Sequence, residues 1–381
     1  MRGAAMKTTR RRGDAEDDIE VSRFSASPRQ ISGGSVSAAI RITGALGWLG
    51  KRLTRLAAEG EFNFLLGERP TIRCLVLPGQ DEAEFQAMGP HVEVLAGDLR
   101  HPADCARFLE DSAGALLVHT AGIIHPRRVA EFYEVNVEGA VNLLRAAKNA
   151  RIGRAVMVSS NSPLGCNPHP DHLFDEESPY RPYKNYGRSK MQMEQAVNAA
   201  FRAGDLETVI VRPPWFYGPD QPPRQTLFFR MVKEGRAPLV GSGDNLRSMA
   251  YVDNLAHGIL LAATHPAAAG QTYWIADRRP YAMREIIDTI ERLLEEEFHV
   301  PVAHRRLRLP GIASALAEAA DTVIQSAGFY EQKIHVLSEM NKTIACSIQK
   351  AERELGYQPL VALEEGMRRS LRWCVERGIA I

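Results

Sequence analysis

Short hydrophobic runs alternate with amphipathic stretches through the first half of the chain. The runs are rich in β-branched residues, and stretches such as VNVEGAVNLLRAAKNA and SKMQMEQAVNAAFRAG between them have helical periodicity. In order, the runs read VSAAIRI, TIRCLVL, HVEVLAG, ALLVHTAG, RAVMVSS and ETVIVRP. Strands that alternate with helices form a parallel sheet covered on both faces. The pattern therefore predicts an α/β fold with a doubly wound parallel sheet.

This alternation ends near Pro213, where WFYGPDQPPRQ brings three prolines and a glycine. Beyond it, QTLFFRMVKEG, YAMREIIDTIERLLEEEF and VALEEGMRRSLRWCVERG have helical patterns, and QTYWIAD is a short strand between them. We therefore expect a sheet domain over 36–213 and a smaller, mainly helical, substrate-binding lobe over 214–381. Some strands and helices of the lobe are expected to return to the first domain.

Residues 1–35 combine a charged stretch with a Ser/Gly-rich one and contain too little apolar surface to offset the entropy of ordering. They are predicted to be a disordered tail, without the apolar segment of a secretory signal. The most apolar stretch further along, 309–329, is interrupted by Glu318 and Asp321. We expect an amphipathic helix there and no integral membrane span.

Composition excludes several classes of partner. Lys and Arg number 47 against 46 Asp and Glu, so the net charge of +1 gives no field for binding nucleic acid. The five cysteines are scattered and form no C-x-x-C pair, which favours a reducing compartment, taken here as the cytoplasm, and argues against structural zinc. We read His125, His169 and His172 as loop histidines and predict no metal site.

A glycine cluster follows the first predicted strand. In ITGALGWLGKRL, Gly44 permits a tight turn, Gly47 permits close approach of a pyrophosphate, and Gly50 permits close packing of helix on strand. The N-terminus of the following helix would supply free N–H groups to the phosphates. This arrangement is typical of a Rossmann-type dinucleotide-binding domain.

The stretch ending in NYGRSK places Tyr186 four residues before Lys190, so both lie on one face of a helix. Together with the glycine turn, this spacing resembles the extended short-chain dehydrogenase/reductase family, which includes NAD-dependent epimerases and dehydratases and 3β-hydroxysteroid dehydrogenases. Further matches occur in family order, namely GDL from Gly97, HTAG from His119, VNVEGAVNLL from Val135, RPPWFYGP from Arg212 and RSMAYVDNLAHGILLA from Arg247.

The resemblance implies a catalytic trio of Ser160, Tyr186 and Lys190. A free tyrosine has a pKa of about 10, so a tyrosine base at neutral pH needs a lowered pKa. Lys190 and an oxidised nicotinamide are cations that would favour the phenolate. The Ser160 hydroxyl would polarise the same substrate oxygen. Family spacing favours Ser160 over Ser159 and Ser162.

By resemblance, the cofactor is NAD or NADP. Asp98 would bind the adenine amino group, Ala121 and Gly122 would approach the adenosine half, and Pro214 would lie near the nicotinamide. Asn136 would steady a water or a carbonyl near Lys190, or be a buried structural residue. The complete set is Gly44, Gly47, Trp48, Leu49, Gly50, Asp98, Leu99, Thr120, Ala121, Gly122, Asn136, Tyr186, Lys190, Pro213 and Pro214.

Two sequence features leave the cofactor form and the substrate class open. The second strand ends in Leu77 and Pro78, where an acidic residue would indicate NAD and an arginine NADP, so the choice stays open. Arg247 matches the arginine that grips the diphosphate of nucleotide sugars. Trp215, however, replaces an asparagine of those epimerases, and RPPWFYGP looks more like the 3β-hydroxysteroid dehydrogenase branch. Both Trp215 and Arg247 are predicted substrate contacts.

Three functions are consistent with these residues. The first is an NAD(P)-dependent oxidoreductase that moves hydride to or from a secondary alcohol or ketone carbon of a small molecule. The second is a nucleotide-sugar epimerase that uses transient oxidation, and the third is a noncatalytic NAD(P)-binding sensor or assembly subunit. Dehydration is disfavoured, since Asn161 and Ser162 stand where dehydratases carry an acidic pair. The resemblance also implies a homodimer.

Overall fold

The strand-forming runs appear as strands in a computed structural model that describes residues 38–381. The predicted tail over 1–35 lies outside the described residues. The strands are β1 (Ala39–Thr43), β2 (Thr71–Val76), β3 (Val92–Ala96), β4 (Leu116–His119), β5 (Arg154–Val158), β6 (Thr208–Arg212), β7 (Trp215–Tyr217), β8 (Pro238–Val240), β9 (Leu246–Arg247), β10 (Met249–Tyr251), β11 (Thr272–Trp274), β12 (Tyr281–Ala282) and β13 (Leu307–Leu309).

Helices follow most of these strands. They are α1 (Trp48–Ala58), α2 (Asn63–Leu66), α3 (Ala83–Gln86), α4 (Pro102–Phe108), α5 (Val129–Tyr133), α6 (Gly139–Asn149), α7 (Lys184–Arg202), α8 (Pro223–Lys233), α9 (Val252–Thr264), α10 (Met283–Glu296), α11 (Ile312–Ser326), α12 (Gln332–Glu339), α13 (Gln349–Leu355) and α14 (Leu363–Glu376). A π-helical segment, Glu134–Glu138, joins α5 to α6, and a 3₁₀ turn covers Pro266–Ala268.

Seven parallel strands form the central sheet in the order β11-β6-β5-β4-β1-β2-β3. The strand order reverses between β1 and β4, and ligands of such sheets bind at that switch point, beyond the carboxyl ends of the strands. The predicted Rossmann-type doubly wound sheet is confirmed.

Both faces of the sheet are buried, because successive side chains of each strand point to opposite faces. On β5, Val156 and Val158 join a core that includes residues of α1 and α9. Ala155 and Met157 join a second core, formed with α4, α6 and α7. The near-continuous apolar runs of the sequence therefore reflect strands buried on both faces.

A third apolar core lies in the C-terminal half and joins α8, α10 and α14. Two elements beyond residue 213 nevertheless belong with the sheet: β11 pairs with β6, and α9 packs against α1. The Arg52 guanidinium binds the Asp253 carboxylate at 2.6 Å, which joins α1 to α9. The sheet region thus draws on residues on both sides of 213, and the division into domains at that residue stays a prediction.

The amphipathic segment predicted over 309–329 contains α11. Its buried face carries Ser314, Asp321 and Gln325, whereas Ile312 and Leu316 are exposed. Along the part of the chain that the structure describes, no helix is long and apolar enough to cross a membrane.

Candidate active site

The glycine turn lies at the carboxyl end of β1. Gly44 has a φ of +69°, and a Cβ at this position would lie 2.5 Å from the Ala121 nitrogen. A Cβ on Gly50 would lie 2.3 Å from the Gly44 oxygen. Side chains at these two positions would therefore collide with backbone, which explains why the turn requires glycine.

The first turn of α1 has the features of an anion site. The helix begins after Gly47 without a side-chain cap and without an acidic residue in its first turn. Its first N–H groups are free to bind a phosphate, and the helix dipole favours negative charge there. Gly44, Gly47, Trp48, Leu49 and Gly50 all line one large cavity. This glycine cradle fits the pyrophosphate of a dinucleotide.

The cavity has a volume of about 810 Å³ and extends from the glycine turn into the C-terminal half. Its wall includes the predicted residues after β4, namely Thr120, Ala121 and Gly122. Thr120 Oγ1 donates a hydrogen bond of 2.7 Å to the carbonyl oxygen of Thr43, which fixes the end of β4 against β1.

Ser160, Tyr186 and Lys190 line this same cavity. Ser160 follows the carboxyl end of β5, and α7 carries Tyr186 and Lys190 on one face. The Ser160 hydroxyl lies 3.3 Å from the Ser162 hydroxyl. Ser159 also reaches the cavity, and its buried hydroxyl has no hydrogen-bonding partner among residues 38–381.

Burial raises the pKa of Tyr186 to about 12. A hydrogen bond with Ser160 opposes this shift, the Glu339 carboxylate adds to it, and the positive charge of Arg224 lowers the pKa. This contact couples Ser160 to the phenol, and the catalytic role of Ser160 stays a prediction. The protein groups alone thus shift the Tyr186 pKa in the direction opposite to the sequence-based expectation.

Lys190 lies four residues after Tyr186 on α7 and is buried. Its ammonium donates a hydrogen bond of 2.8 Å to the carbonyl oxygen of Val158 and lies 3.2 Å from the sulfur of Met193. Burial lowers the Lys190 pKa to about 8, and Glu194 partly opposes the shift. The geometry therefore places Lys190 as a desolvated cation on the carbonyl end of β5.

Asn136 lies in the π-helical segment, a rare geometry that is frequent at functional sites. Its Oδ1 accepts from the Ile123 nitrogen at 2.9 Å, and its Nδ2 donates to the Ile123 oxygen and the Ser189 hydroxyl at 3.1 Å each. It is buried behind the cavity wall and connects the chain after β4 to α7. Both roles predicted for Asn136 stay open, because it is buried and also holds the backbone carbonyl of Ile123.

Asp98 and Leu99 do not line the cavity. The Asp98 carboxylate accepts hydrogen bonds from Arg100, including one of 2.6 Å from Nη2. Arg100 is also the main reason why the pKa of Asp98 is lowered. Leu99 is part of the second sheet core. Their roles at the adenine stay predictions.

The segment after β6 brings Pro213, Pro214 and Trp215 to the cavity, but Arg247 lies behind it. Arg247 is 1% exposed, and its guanidinium is 4.5 Å from the centroid of the Trp215 ring. Its Nη2 donates to the backbone oxygen of Glu339, whereas Nε and Nη1 lack partners among the described residues. The structure thus places Arg247 beneath Trp215 rather than on the cavity wall.

Several lining residues were not predicted from the sequence. Apolar lining residues come from α8, α10 and neighbouring elements. A set of polar lining residues comes from α8 and from residues 330–339. The apolar residues include Leu227, Phe228, Met231, Pro238, Met249, Met283, Ile286, Val336, Met340 and Met367; the polar ones include Arg224, Gln225, Tyr330, Gln332, His335 and Glu339. No motif marks these positions. Only the i, i+4 spacing of His335 and Glu339 signals that these two share a helix face.

His335 and Glu339 belong to a buried polar cluster. His335 Nδ1 lies 2.8 Å from an oxygen of Asp321, which is fully buried on α11, and Nε2 lies 3.8 Å from an oxygen of Glu339. Burial raises the pKa of Glu339, while His335 and Arg247 oppose the shift. The cluster therefore presents a carboxyl group with a raised pKa to the cavity.

Of the three loop histidines, only His125 reaches the cavity. Its Nδ1 lies 3.0 Å from the Tyr330 hydroxyl, and burial lowers its pKa to about 4. His172 instead contacts Asn167. Within residues 38–381, no group of three His, Cys, Asp or Glu residues has the geometry of a metal site.

Together, the sheet topology, the glycine cradle and the Tyr-x-x-x-Lys helix define a Rossmann-fold, dinucleotide-dependent protein. The sequence model of the NAD dependent epimerase/dehydratase family matches residues 40–276, which is more than half of the chain. The protein belongs to that family, and its predicted membership of the extended short-chain dehydrogenases/reductases is confirmed. A nicotinamide dinucleotide cofactor is confirmed with it, and the family includes oxidoreductases, dehydratases and epimerases.

Individual relatives agree with this assignment. The uncharacterized protein y4nL of Sinorhizobium fredii is 52% identical over 89% of this chain and 96% of its own length. A 4-hydroxy-2-methyl-3-oxo-4-farnesyl-3,4-dihydroquinoline-1-oxide ketoreductase of Stigmatella aurantiaca is 29% identical over 86% of this chain and 93% of its own. The NAD-bound dTDP-glucose 4,6-dehydratase DesIV of Streptomyces venezuelae is 25% identical with a TM-score of 0.69, covering 89% of this chain and 98% of its own.

Proposed function

We propose that the protein is an NAD(P)-dependent oxidoreductase acting on a secondary alcohol or ketone carbon of an apolar small molecule. One observation carries the proposal: Ser160, Tyr186 and Lys190 meet the glycine turn at a single cavity whose opposite wall carries many apolar side chains, among them Leu227, Phe228, Met231, Met249, Met283 and Met367. Binding pockets for apolar ligands have this character, with a few polar groups that fix orientation.

The cofactor would be held at its pyrophosphate by Gly44, Gly47 and the first turn of α1, and at its nicotinamide by Pro213 and Pro214. When bound, the nicotinamide ring supplies or accepts the hydride. The end of β2 does not indicate whether NAD or NADP is bound. The residue that follows it, Leu77, is exposed and apolar, and its backbone nitrogen donates a hydrogen bond to the Gln80 side chain. Titration with NADH and NADPH would decide between them.

Tyr186 would donate its proton to the carbonyl oxygen during reduction and accept it from the hydroxyl during oxidation. The neutral phenol favoured by burial is already the form needed for reduction. Ser160, hydrogen-bonded to the phenol, would hold the same substrate oxygen. Lys190 would orient the ribose, and its charge would favour the phenolate during oxidation.

The substrate class is supported by the apolar wall and by the position of Arg247. A guanidinium stacked beneath Trp215 does not reach the cavity to grip a diphosphate. The Stigmatella relative is named as a ketoreductase of a quinoline oxide that carries an apolar farnesyl chain.

A nucleotide-sugar epimerase is the second candidate, because two guanidinium nitrogens of Arg247, Nε and Nη1, have no partner within the described chain. Rotation of Trp215 would be needed to expose them. An epimerase returns the hydride to its substrate and consumes no cofactor, so net redox change separates the two functions.

Native mass spectrometry of the purified protein, followed by titration with NADH and NADPH, tests the proposal. Reversible binding of either cofactor, with net turnover of secondary alcohols, is the expected result. Tightly retained NAD without net redox turnover would favour the epimerase. No binding of either cofactor would overturn the interpretation of Gly44, Gly47 and Gly50.

A further inference from the structure

The outer face of α11 is apolar. Ile312, Leu316 and Val323 recur at helical spacing, and each is between 64% and 69% exposed. The eight exposed residues of the helix cover about half of its circumference, and none of them is charged. Of its two acids, Asp321 is buried and Glu318 forms an ion pair. We call Ile312, Leu316 and Val323 the α11 face.

The orientation of α11 reverses that of an ordinary surface helix, whose polar side is in water. The side of α11 that packs on α12 is the polar one: Ser314 Oγ donates to the carbonyl oxygen of Ser338 at 2.7 Å, and Asp321 binds His335. Packing within the described chain therefore leaves the large apolar side chains of α11 uncovered. An exposed apolar surface of this kind marks a site of contact with a membrane or with another protein.

Apolar surface also connects α11 to the cavity. Phe329, which is 61% exposed, follows the helix, and the next residue, Tyr330, lines the cavity. The Tyr330 nitrogen donates a hydrogen bond of 3.3 Å to the carbonyl oxygen of Arg127, in the segment after β4. Ile124 in that segment is exposed and also lines the cavity. Apolar side chains thus continue from the end of α11 to an open part of the cavity wall.

Basic side chains border the α11 face. Arg305 and Arg308 are exposed shortly before the helix begins, and Arg127 is exposed beside the residues that follow it. The Lys184 ammonium donates hydrogen bonds to α11 itself, one of them to the exposed Thr322. Apolar side chains with a basic border match an anionic lipid surface, which has an apolar interior below negative headgroups.

The charge around α11 distinguishes a lipid surface from a second copy of the chain. Arg306 faces α10, where it binds Asp288 and Glu291, and one exposed acid, Glu331, follows Tyr330. The four bordering cations outnumber this acid, so the border is net positive. A symmetric dimer would bring the border close to a copy of itself, where like charges repel. Anionic headgroups would instead attract it.

We propose that the α11 face docks on a membrane surface that contains anionic phospholipid. The helix has 15 residues, fewer than the roughly 20 that cross a bilayer, so it lies along the surface with its apolar side chains below the headgroups. Arg305, Arg308 and Lys184 bind headgroup phosphates. This inference goes beyond the proposed function and does not depend on it. For the proposed oxidoreductase, docking brings the cavity to the phase in which an apolar substrate dissolves.

Co-sedimentation of the full chain with vesicles tests the docking without substrate or cofactor. We expect binding to vesicles made of equal parts of phosphatidylglycerol and phosphatidylcholine. Leu316→Gln combined with Val323→Gln should weaken this binding about tenfold or more, because two apolar side chains no longer enter the lipid. Val375→Gln is the matched control, since Val375 is an exposed valine on another helix, α14, and it should bind as the wild type does.

The same assay tests the role of charge. Arg305→Gln combined with Arg308→Gln should weaken binding to the anionic vesicles about fivefold for each charge removed. Binding to vesicles of phosphatidylcholine alone should be weak and should not change. Added salt should weaken binding of the wild type more than that of this variant. Arg202→Gln is the control, because Arg202 is exposed at the opposite end of α7 from Lys184.

Three results would overturn the proposal. The first is no binding to the anionic vesicles, and the second is equal binding by the wild type and the variant that carries Leu316→Gln and Val323→Gln. The third is a dimer in light scattering that this variant separates into monomers, without vesicle binding, which would assign the α11 face to a contact between copies. All three leave the oxidoreductase standing. Vesicle binding as expected, without turnover of any secondary alcohol, would support the docking and contradict the proposed oxidoreductase.

Discussion

Tyr186 and Lys190 are both buried ionisable groups, and burial works against the charged form of each. It raises the pKa of the phenol to about 12 and lowers the pKa of the ammonium to about 8. Burial therefore disfavours the charged form of each group, although Lys190 still keeps its proton at pH 7. Ionised tyrosine needs positive charge nearby, and the structure assigns part of that to Arg224.

Replacing Tyr186 by Phe should lower kcat by about 100-fold or more, because general acid–base catalysis contributes about 10²–10⁴-fold. Cofactor affinity should change by less than about twofold. Steady-state kinetics and a fluorescence titration with reduced cofactor check both values. Retention of full activity would contradict the catalytic role of the phenol and favour the noncatalytic alternative.

Replacing Lys190 by Met should stabilise the cofactor-free protein at pH 7 by about 1–3 kcal/mol while lowering activity. The ammonium is charged in both folded and unfolded chains at pH 7, and the folded chain bears the cost of burying it. As pH rises from about 8 to the unfolded pKa of about 10.5, the folded chain loses the proton first, so the wild type gains stability and the difference shrinks. Urea unfolding of the variant and the wild type at pH 7 and pH 10 measures this difference in stability. A variant less stable than the wild type at pH 7 would contradict the prediction.

At the scale of single elements, α1 and α11 are held in place by different kinds of packing. The first turn of α1 must approach the end of β1 closely, so it tolerates no Cβ at Gly50. In α11 the buried face is polar and the exposed face is apolar. Polar contacts with α12, such as that of Asp321 with His335, therefore hold α11 in place.

Gly50→Ala should cost about 1–3 kcal/mol of stability, because a Cβ would displace the Gly44 carbonyl and the Thr120 hydroxyl. Cofactor affinity should fall about tenfold or more, since the displaced turn forms the phosphate cradle. Thermal unfolding and cofactor titration measure these effects. Gly311→Ala is the control, because a Cβ there meets nothing within 4 Å, and equal behaviour of the two variants would refute the steric argument.

Asp321→Ala should destabilise the protein by about 1–3 kcal/mol, because His335 and Gln325 would lose a buried hydrogen-bonding partner. Leu316→Ala, on the exposed face of the same helix, should change stability by less than about 0.5 kcal/mol. Chemical unfolding of the two variants gives the comparison. A larger loss for Leu316→Ala would mean that the exposed face is covered in solution.

At the scale of the molecule, the cavity joins the sheet to the C-terminal half. One wall comes from the ends of β1, β4 and β5, and the other comes from α8, α10 and α12. A ligand that fills this cavity contacts both halves, so its binding free energy adds to the stability of the whole fold.

Cofactor at 100 times its Kd should raise the free energy of unfolding by about 2.7 kcal/mol. A thermal shift assay with NADH and NADPH measures the effect and identifies the preferred form. Tyr186→Phe should keep the shift, whereas Gly50→Ala should lose about half of it or more at the same cofactor concentration. Equal shifts in wild type and Gly50→Ala would show that the cofactor does not use the glycine cradle.

The sequence by itself determined the parallel sheet, the glycine turn and the pairing of Tyr186 with Lys190. These features depend on local periodicity and on residues close in the chain, which a linear pattern records. Membership of the family followed from the same motifs and is confirmed.

Only the tertiary structure decided what surrounds Tyr186. Arg224 comes from α8, whereas His335 and Glu339 come from α12, and the two helices meet at the cavity through packing between segments that are distant in sequence. Tertiary packing likewise places Arg247 beneath Trp215, although its motif matches the family. The position of a side chain and the pKa of a buried group depend on neighbours distant in sequence, and these are fixed only when the chain is folded.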